Sequence, residues 1–249
     1  MISNTLAARI DADNLGGNCT IVSSEREVFL GALSVRERVY EALREEIMYG
    51  QLSPGERLTE KELSEKFQAS RGTIRECLRQ LETEGLLTFE NHKGYRVSKL
   101  STRQVDEIYS LRMLLESYAT RLTAEKMTPT HIAYLEKAQN GCIKAAEKLD
   151  FRGWLKYNTD FHHFFYEHCG NENLRILLDI LKRRIYRYQY IIITIPGHFD
   201  EYLALHEKVI EACRKKDGNA AEKFMREHLD GIKKILLNRL KDFPALNIG

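Results

Sequence analysis

The chain has few prolines and glycines for its length, with four and 15 respectively among 249 residues. Because both residue types interrupt helices, their scarcity favours long helices over many short strands. Wholly apolar runs are short, such as Ile191–Ile193, which argues against a transmembrane helix. The N-terminal residues also lack the apolar core of a signal peptide, so a cytoplasmic location is predicted.

Paired cysteine motifs and a large net charge are missing as well. The five cysteines form no CxxC pair, so neither a zinc ribbon nor a disulfide framework is predicted. The net charge is only +2. Its distribution is uneven, however, because residues 34–65 carry five basic and eight acidic residues, whereas 66–99 carry seven and four. This local basic patch is compatible with a DNA-facing surface, and equally with ordinary surface charge.

Residues 34–99 have the element order of a winged helix-turn-helix. Ser34 and Thr59 each precede a glutamate by three positions, a spacing that caps helices, and a third helix begins at Ser70. Two short strands joined by a turn follow, at 86–90 and 95–98. The order of helix, helix, short turn, helix and hairpin predicts a DNA-binding domain of this type.

Residues 100–249 show helical periodicity and no convincing strand. The predicted helices are 102–126, 129–149, 151–169, 171–193, 199–216 and 218–241. A typical apolar stripe on the first of them comprises Ile108, Leu111, Leu115, Tyr118 and Leu122. The fold is therefore predicted to be mostly α, with an N-terminal winged helix-turn-helix and a C-terminal all-α antiparallel six-helix bundle. Residues 1–33 are predicted to form a poorly ordered arm.

The start of the third helix has the residues that a recognition helix needs. Ser70, Arg71 and Thr73 occupy its first turn, and Arg75 follows Arg71 by one turn on the same side. Arginine binds guanine or phosphate through two parallel hydrogen bonds, and hydroxyls at a helix N-terminus suit phosphate oxygens. The alternative is a solvated polar face on a small helical domain.

These residues lie in a segment that resembles a known family. The stretch LREEIMYGQLSPGERLTEKELSEKFQASRGTIRECLRQLETEGLL, followed by NHKGYRV, is similar to the DNA-binding domain of GntR-type bacterial transcription regulators. The resemblance implies DNA contacts at Lys61, Ser70, Arg71, Arg75 and, at the tip of the wing, Gly94.

The segment departs from the family pattern at three positions. Gly72 and Thr73 replace the common Thr and Pro, and Gly72 removes one possible hydroxyl contact to DNA. Cys77 replaces the usual Ala and is interpreted as a buried small residue, with a redox sensor as the alternative.

Three of the eight histidines lie on apolar stripes of three different predicted helices. His162 shares a face with Asn158 and several apolar residues, while His206 and His228 lie among apolar residues on the fifth and sixth bundle helices. Such histidines can converge in a bundle core and bind one metal ion, because each buried imidazole needs partners. The alternative is that each histidine is satisfied separately.

A second resemblance bears on these histidines. The segments NTDFHHFFYEHCGNENL, LHEKVIEAC and AAEKFMREHL are similar to the FCD effector-binding domain of the FadR subfamily. The resemblance implies a divalent metal site at Asn158, His162, His206 and His228, with Asn158 in place of the usual Asp. An amide oxygen can coordinate but brings no charge, so Asn158 is a weak fourth ligand. The family's effectors are mostly small carboxylates.

Further positive charge is predicted beside the metal site. Arg112 matches a family arginine that receives the effector carboxylate, and the alternative is a simple intrahelical pair with Glu116. One of Arg183, Arg184 and Arg187 is also predicted to face the pocket.

The predicted function is a DNA-binding transcription regulator, a repressor, whose affinity for operator DNA is controlled by a small carboxylate at the metal site. Zinc or nickel is the predicted metal. A homodimer is predicted because two-fold operators need two recognition helices, and the apolar segment Tyr186–Ile195 is one candidate for its interface. A metalloenzyme and a structural DNA-binding protein with a vestigial pocket are the alternatives. No catalytic residue is predicted, since no acidic residue stands near the ligands as an evident general base.

Overall fold

The computed structural model of the protein describes residues 34–48, 51–91, 93–99, 101–148, 150–193 and 199–242. Within these ranges, the side chains of 151, 186–201 and 242 are not described. The predicted arm 1–33 and the side chains of the Tyr186–Ile195 segment thus lie outside the described residues. The chain divides into two compact units, Met1–Lys99 and Leu100–Gly249.

Within its described residues, the N-terminal unit contains three helices and three short strands. They are α1 (Val35–Met48), β1 (Arg57–Leu58), α2 (Glu60–Phe67), α3 (Arg71–Thr83), β2 (Leu87–Glu90) and β3 (Gly94–Val97). The strands form one antiparallel sheet in the order β1-β3-β2. The sequence pattern predicts β2 and β3 but not β1, because a two-residue strand is defined by its pairing with β3 and carries no periodicity of its own.

The predicted helix starts are confirmed by their capping bonds. The Ser34 hydroxyl accepts the amide N–H of Glu37, and the Glu37 carboxylate accepts the amide N–H of Ser34. Thr59 and Ser70 cap α2 and α3 by accepting the amide N–H three residues further on. These bonds satisfy amide donors that have no partner within the first turn of a helix.

One core joins the helices and the sheet of this unit. Its central side chains are at most 1% exposed, and they include Leu43 of α1, Ile74 and Leu78 of α3, and Leu87 of β2. Tyr40 of α1 also donates a hydrogen bond to Glu84, just after α3, at 2.7 Å. This packing fixes α3 against the rest of the unit, so that its other face remains exposed.

The C-terminal unit is all-helical in the part of the chain that the structure describes. Its helices are α4 (Thr102–Ala124), α5 (Pro129–Glu147), α6 (Phe151–His168), α7 (Glu172–Ile193), α8 (Phe199–Arg214) and α9 (Gly218–Asp242). The mostly helical fold predicted from sequence is confirmed. The main neighbours in the bundle are α4 with α9, α5 with α6, and α8 with α9.

The buried face of α4 differs from the predicted apolar stripe. Ile108 is buried, but Leu111 and Tyr118 are 48% and 45% exposed, and Leu115 and Leu122 are only half-buried. The interior side of α4 instead carries polar residues at helical spacing, namely Arg112, Glu116, Thr120 and Thr123. The physical reason is that buried charged side chains are stable only if they have hydrogen-bond or ion-pair partners, and some of these partners lie on other helices. Periodicity within α4 could not show those partners.

Among the described helices, none is long and apolar enough to cross a membrane.

Candidate functional site

A carboxylate on α4 joins two helices at the centre of the bundle. Glu116 is fully buried and accepts hydrogen bonds from Nε of Arg112 at 2.9 Å and from the Tyr166 hydroxyl at 2.7 Å. Its Oε1 atom lies 2.5 Å from Nδ1 of His162 on α6. Glu116 therefore contacts an arginine, a tyrosine and a histidine at once.

These contacts keep Glu116 charged despite its burial. Burial opposes the charged form, but Arg112, His162 and Tyr166 together hold the pKa of Glu116 below its usual range. Because a charged carboxylate is an acceptor only, Nδ1 of His162 is the protonated nitrogen of that ring. Its Nε2 atom then carries a free lone pair.

His162, His206 and His228 meet in the interior although they belong to α6, α8 and α9. One ring nitrogen from each histidine lies within 4.8 Å of the others, and all three side chains are buried. Burial and the neighbouring histidines lower the pKa of His206 and of His228 well below the usual value. The pKa of His162 is also lowered, chiefly by burial. Neutral imidazoles of this kind are the form that binds metal ions.

A glutamine on α5 sets the orientation of His206. Gln139 donates through Nε2 to the backbone oxygen of Leu203 at 2.8 Å, so its Oε1 atom faces Nδ1 of His206 at 3.1 Å. His206 must then donate from Nδ1 and carry a lone pair on Nε2, which lies 3.3 Å from Nε2 of His228. Gln139 and Glu116 thus act alike, since each holds one histidine with its proton on Nδ1 and its lone pair on Nε2.

Two buried ring nitrogens in this cluster have no hydrogen-bond partner among the residues that the structure describes. They are Nε2 of His162 and Nδ1 of His228. An unsatisfied buried polar atom costs about 1–3 kcal/mol, so such atoms are rare without a reason. Three neutral imidazoles, two of them fixed by outer hydrogen bonds, are the donor set and outer shell of a protein metal site. The residues present therefore fit a divalent ion.

Asn158 lies beside the histidine cluster. It is 1% exposed, and its Oδ1 atom accepts a long hydrogen bond of 3.4 Å from the hydroxyl of Tyr202. The ring of Tyr202 is 4.3 Å from that of His228, centroid to centroid. The weakness of this bond leaves the amide oxygen of Asn158 available for another partner.

The predicted arginines differ in their placement. Arg112 is 5% exposed and pairs with Glu116, the alternative that sequence analysis kept open beside an effector contact. Its guanidinium also lies 5.1 Å from the centre of the Tyr109 ring. Arg183 and Arg184 are exposed, so the expectation that at least one of the three arginines faces the pocket now depends on Arg187. The side chain of Arg187 lies outside the described residues.

Three residues of this site have roles that the sequence pattern did not predict. Glu116 was considered only as a partner of Arg112, and Tyr166 and Gln139 were not singled out. A signal existed for two of them, because Glu116 follows Arg112 by four residues and Tyr166 follows His162 by four. Gln139 gave no signal, since its role depends on the packing of α5 against α8.

The predicted DNA-binding residues lie on α2, α3 and the wing. Lys61 and Arg71 are exposed. Ser70 and Thr73 share a hydroxyl–hydroxyl contact of 3.0 Å in addition to the helix cap. Gly94 opens β3 after the turn of the wing with a φ of +84°, a left-handed conformation that glycine adopts without strain.

Arg75 is exposed but already paired. Its Nε and Nη2 atoms donate to Oε1 and Oε2 of Glu60 on α2, each at 2.8 Å. Two parallel bonds of this length form a bidentate ion pair.

Cys77 lies on the opposite, inner side of α3. It is fully buried and contacts the backbone oxygen of Arg36 at 3.4 Å. Burial raises the pKa of its thiol, so the reactive thiolate is disfavoured. This placement supports the buried small residue over the redox sensor.

Comparison with known families accounts for both units. Residues 35–97 match the bacterial regulatory proteins of the gntR family, and residues 107–231 match the FCD domain. The chain belongs to the gntR family and carries an FCD domain. The DNA-binding unit and the histidine cluster of this regulator thus lie in its gntR and FCD regions respectively.

Curated relatives of this regulator are also regulators. It is 32% identical over 201 residues to the Nta operon transcriptional regulator of Aminobacter aminovorans, covering 78% of this chain and 92% of that protein. It is 27% identical over 198 residues to the HTH-type transcriptional repressor RspR of Escherichia coli K12, covering 80% and 87%. The regulator is therefore a transcription factor, and the alternative of a metalloenzyme is set aside.

A solved structure supports the same assignment. E. coli McbR/YncC matches this regulator with a TM-score of 0.71 and 25% sequence identity, covering 83% of this chain and 99% of that one.

Proposed function

We propose that this regulator is a cytoplasmic repressor whose operator affinity is controlled by a small carboxylate metabolite bound at a divalent metal in the FCD domain. The observation that carries the proposal is the buried cluster of His162, His206 and His228, with its free nitrogens and its fixed outer partners. The repressor assignment has support from RspR, a relative that is named as a repressor.

The three histidines would hold the metal, with Asn158 as a weak fourth ligand. Zinc or nickel is the best match, because both bind imidazole well. The bound ion would supply a positive centre with open positions for a carboxylate. All three imidazoles and Asn158 are neutral ligands, so no ligand charge offsets the ion within this set.

Arg112 would help to hold the effector carboxylate. A guanidinium has five N–H donors, and Glu116 and Tyr166 engage only part of those of Arg112, so donors remain for a second acceptor. The same glutamate also contacts His162. Carboxylate binding at Arg112 would therefore act on the position of a metal ligand through one shared side chain.

The metal and the carboxylate can be tested together on the full-length protein. A duplex selected by the protein from a random-sequence library serves as the DNA probe, and acetate, lactate and succinate serve as carboxylate probes. We expect at least one carboxylate to bind the metal-loaded protein, to lose that binding after chelation, and to weaken DNA binding only when metal is present. If chelation changes neither carboxylate binding nor the DNA response, the vestigial-pocket alternative is favoured instead.

DNA recognition is proposed for Lys61, Ser70, Arg71, Thr73, Arg75 and Gly94, which lie on α2, α3 and the wing. Their position on exposed or half-exposed surface supports this role. The two hydroxyl groups are expected to contact phosphate, and the arginines to contact base edges or phosphate.

Replacing the recognition arginines should weaken DNA binding. We expect Arg71→Ala and Arg75→Ala each to lower affinity for the selected duplex on the order of tenfold to a hundredfold, the usual cost of one good base contact. Fluorescence anisotropy measures the affinity, and sedimentation and circular dichroism should remain those of wild type. Unchanged affinity in both variants would remove α3 from the role of recognition helix.

A homodimer is proposed through the bundle. Leu111, Leu114 and Tyr118 form an exposed apolar stripe on α4, and the neighbouring helix α7 exposes Ile176, Leu177 and Ile180. Each of these side chains is between 40% and 58% exposed. Exposed apolar side chains on two neighbouring helices are typical of an interaction site.

The apolar stripe of α4 gives a direct test of the dimer. Leu114, the most exposed of its members at 58%, is changed to Glu. A buried unpaired charge disfavours association, so we expect Leu114→Glu to be monomeric at micromolar concentration in sedimentation velocity while wild type is dimeric. Tyr134→Glu is the matched control, because Tyr134 is similarly exposed at 46% but lies on α5. Equal dimerisation of Leu114→Glu and wild type would place the interface elsewhere.

A further inference from the structure

The bidentate pair between Glu60 and Arg75 links the two helices of the helix-turn-helix through their side chains. Glu60 is the first residue of α2, and Arg75 lies one turn into α3. Both bonds are 2.8 Å long, although the Arg75 side chain is half-exposed at 51%. Exposed ion pairs contribute little to the free energy of unfolding, so stability of the fold does not by itself explain this geometry.

The pair uses one edge of the guanidinium and leaves the other free. A guanidinium has five N–H donors, and Glu60 takes the edge formed by Nε and Nη2. The edge formed by Nη1 and Nη2 still offers two parallel N–H groups. Two parallel donors are what guanine requires at its O6 and N7 atoms in the major groove.

Glu60 also changes the electrostatics of the arginine row on α3. Arg71, Arg75 and Arg79 follow one another at intervals of four residues, and all three are exposed. The hydrogen bonds from Arg75 lower the pKa of Glu60, and the charges of Arg71 and Arg79 add to this effect. The Glu60 carboxylate neutralises the positive charge in the middle of the row. An unpaired Arg75 at this position would attract the phosphates of DNA of any sequence.

We propose that Glu60 is a positioning residue for sequence discrimination. It holds Arg75 with the free edge of the guanidinium towards a guanine, and its negative charge weakens the binding of Arg75 to phosphate. The inference rests on the proposed contact between Arg75 and DNA. A fixed side chain loses less conformational entropy on binding than a free one, which favours the selected sequence. A neutralised pair is attracted less strongly to the phosphate backbone, so the affinity for all other sequences is lower.

The test compares full-length wild type with Glu60→Gln, which keeps the size of the side chain and removes its charge. The probes are the duplex that wild type selects from a random library and a scrambled duplex of equal composition. We expect Glu60→Gln to reduce the ratio of the two affinities by roughly tenfold, within the range for one bidentate base contact. The logarithmic salt dependence of binding to the scrambled duplex should steepen by about 0.9, as expected for one more phosphate contact.

Two controls separate positioning from a general charge effect. Glu65→Gln removes the same charge from an exposed site about 140° around α2 from Glu60 and should leave the affinity ratio unchanged. In an Arg75→Ala background, Glu60→Gln should have no further effect on the ratio, because Glu60 acts through Arg75. Thermal unfolding of each variant checks that the domain is folded.

The outcomes separate this inference from the DNA contact on which it rests. If Arg75→Ala lowers the affinity ratio and Glu60→Gln changes neither the ratio nor the salt dependence, the pair is an ordinary surface ion pair and the inference is wrong. The inference is equally overturned if Glu60→Gln acts as strongly without Arg75. If Arg75→Ala itself leaves the ratio unchanged, both the contact and the inference fail.

Discussion

Zinc or nickel titrated into the metal-free protein should bind wild type at one site and bind His206→Ala far more weakly. His206 offers a lone pair fixed by Gln139 and lies 3.3 Å from the facing nitrogen of His228. Loss of an outer partner of a metal ligand typically costs about 10–100-fold in affinity, and we expect loss of the ligand itself to cost more. Isothermal titration calorimetry of the full-length protein measures the difference.

The neighbouring histidine provides the matched control for this titration. His163 follows His162 on α6 but is 31% exposed and faces Glu167 and Asp179. We expect His163→Ala to bind the metal as wild type does. If His206→Ala also binds the metal as tightly as wild type, the metal does not bind at the histidine cluster.

The same titration tests the fourth ligand. We expect Asn158→Asp to tighten metal binding, because a charged oxygen replaces a neutral one at a buried position. A weaker site in Asn158→Asp would mean that this side chain does not reach the ion and that the new charge is only a burial cost.

Removing the charge of Glu116 should strongly destabilise the metal-free protein. Glu116→Gln keeps the size of the side chain but leaves Arg112, which is 5% exposed, without its carboxylate. Breaking a buried ion pair at one partner typically costs about 3–5 kcal/mol, since the remaining charge is uncompensated. Urea unfolding of the metal-free protein measures the change in the free energy of unfolding.

Two variants show whether the uncompensated charge is the cause. In Arg112→Met combined with Glu116→Gln, both charges are gone, and we expect most of the lost stability to return. Glu107→Gln is the control on the same helix, because Glu107 pairs with Arg103 at the same spacing but on the exposed surface. It should leave the free energy of unfolding essentially unchanged. A small effect of Glu116→Gln would show that Arg112 finds another partner or reaches water.

The sequence determined the local elements of the fold. Ser34, Thr59 and Ser70 cap their helices through atoms within three residues, so short spacings were sufficient to place the starts of α1, α2 and α3. Helical periodicity likewise located the long helices of the FCD domain, because their caps and turns are also local. The apolar stripes singled out three histidines but left a shared metal site and separate partners as alternatives, and the resemblance to the FCD domain then implied one metal site.

The tertiary structure decided which face of α4 is buried. Its leucines and tyrosine suggested an apolar inner stripe, but Arg112 and Glu116 lie inside and Leu111 and Tyr118 lie outside. The reason is that the cost of burying charge depends on partners from other elements, here His162 and Tyr166 of α6, which are 46 and 50 residues away from Glu116 in the chain.

The pairs that orient the functional side chains were decided in the same way. Gln139 fixes His206 across 67 residues, and Glu60 fixes Arg75 across 15. The sequence supplied these hydrogen-bonding groups, but each has many possible partners of equal chemistry along the chain. Only the packing of the helices brings one donor and one acceptor to within 3.1 Å. This proximity determines that the lone pair of His206 lies on Nε2 and that one edge of the Arg75 guanidinium is left over by the pair with Glu60.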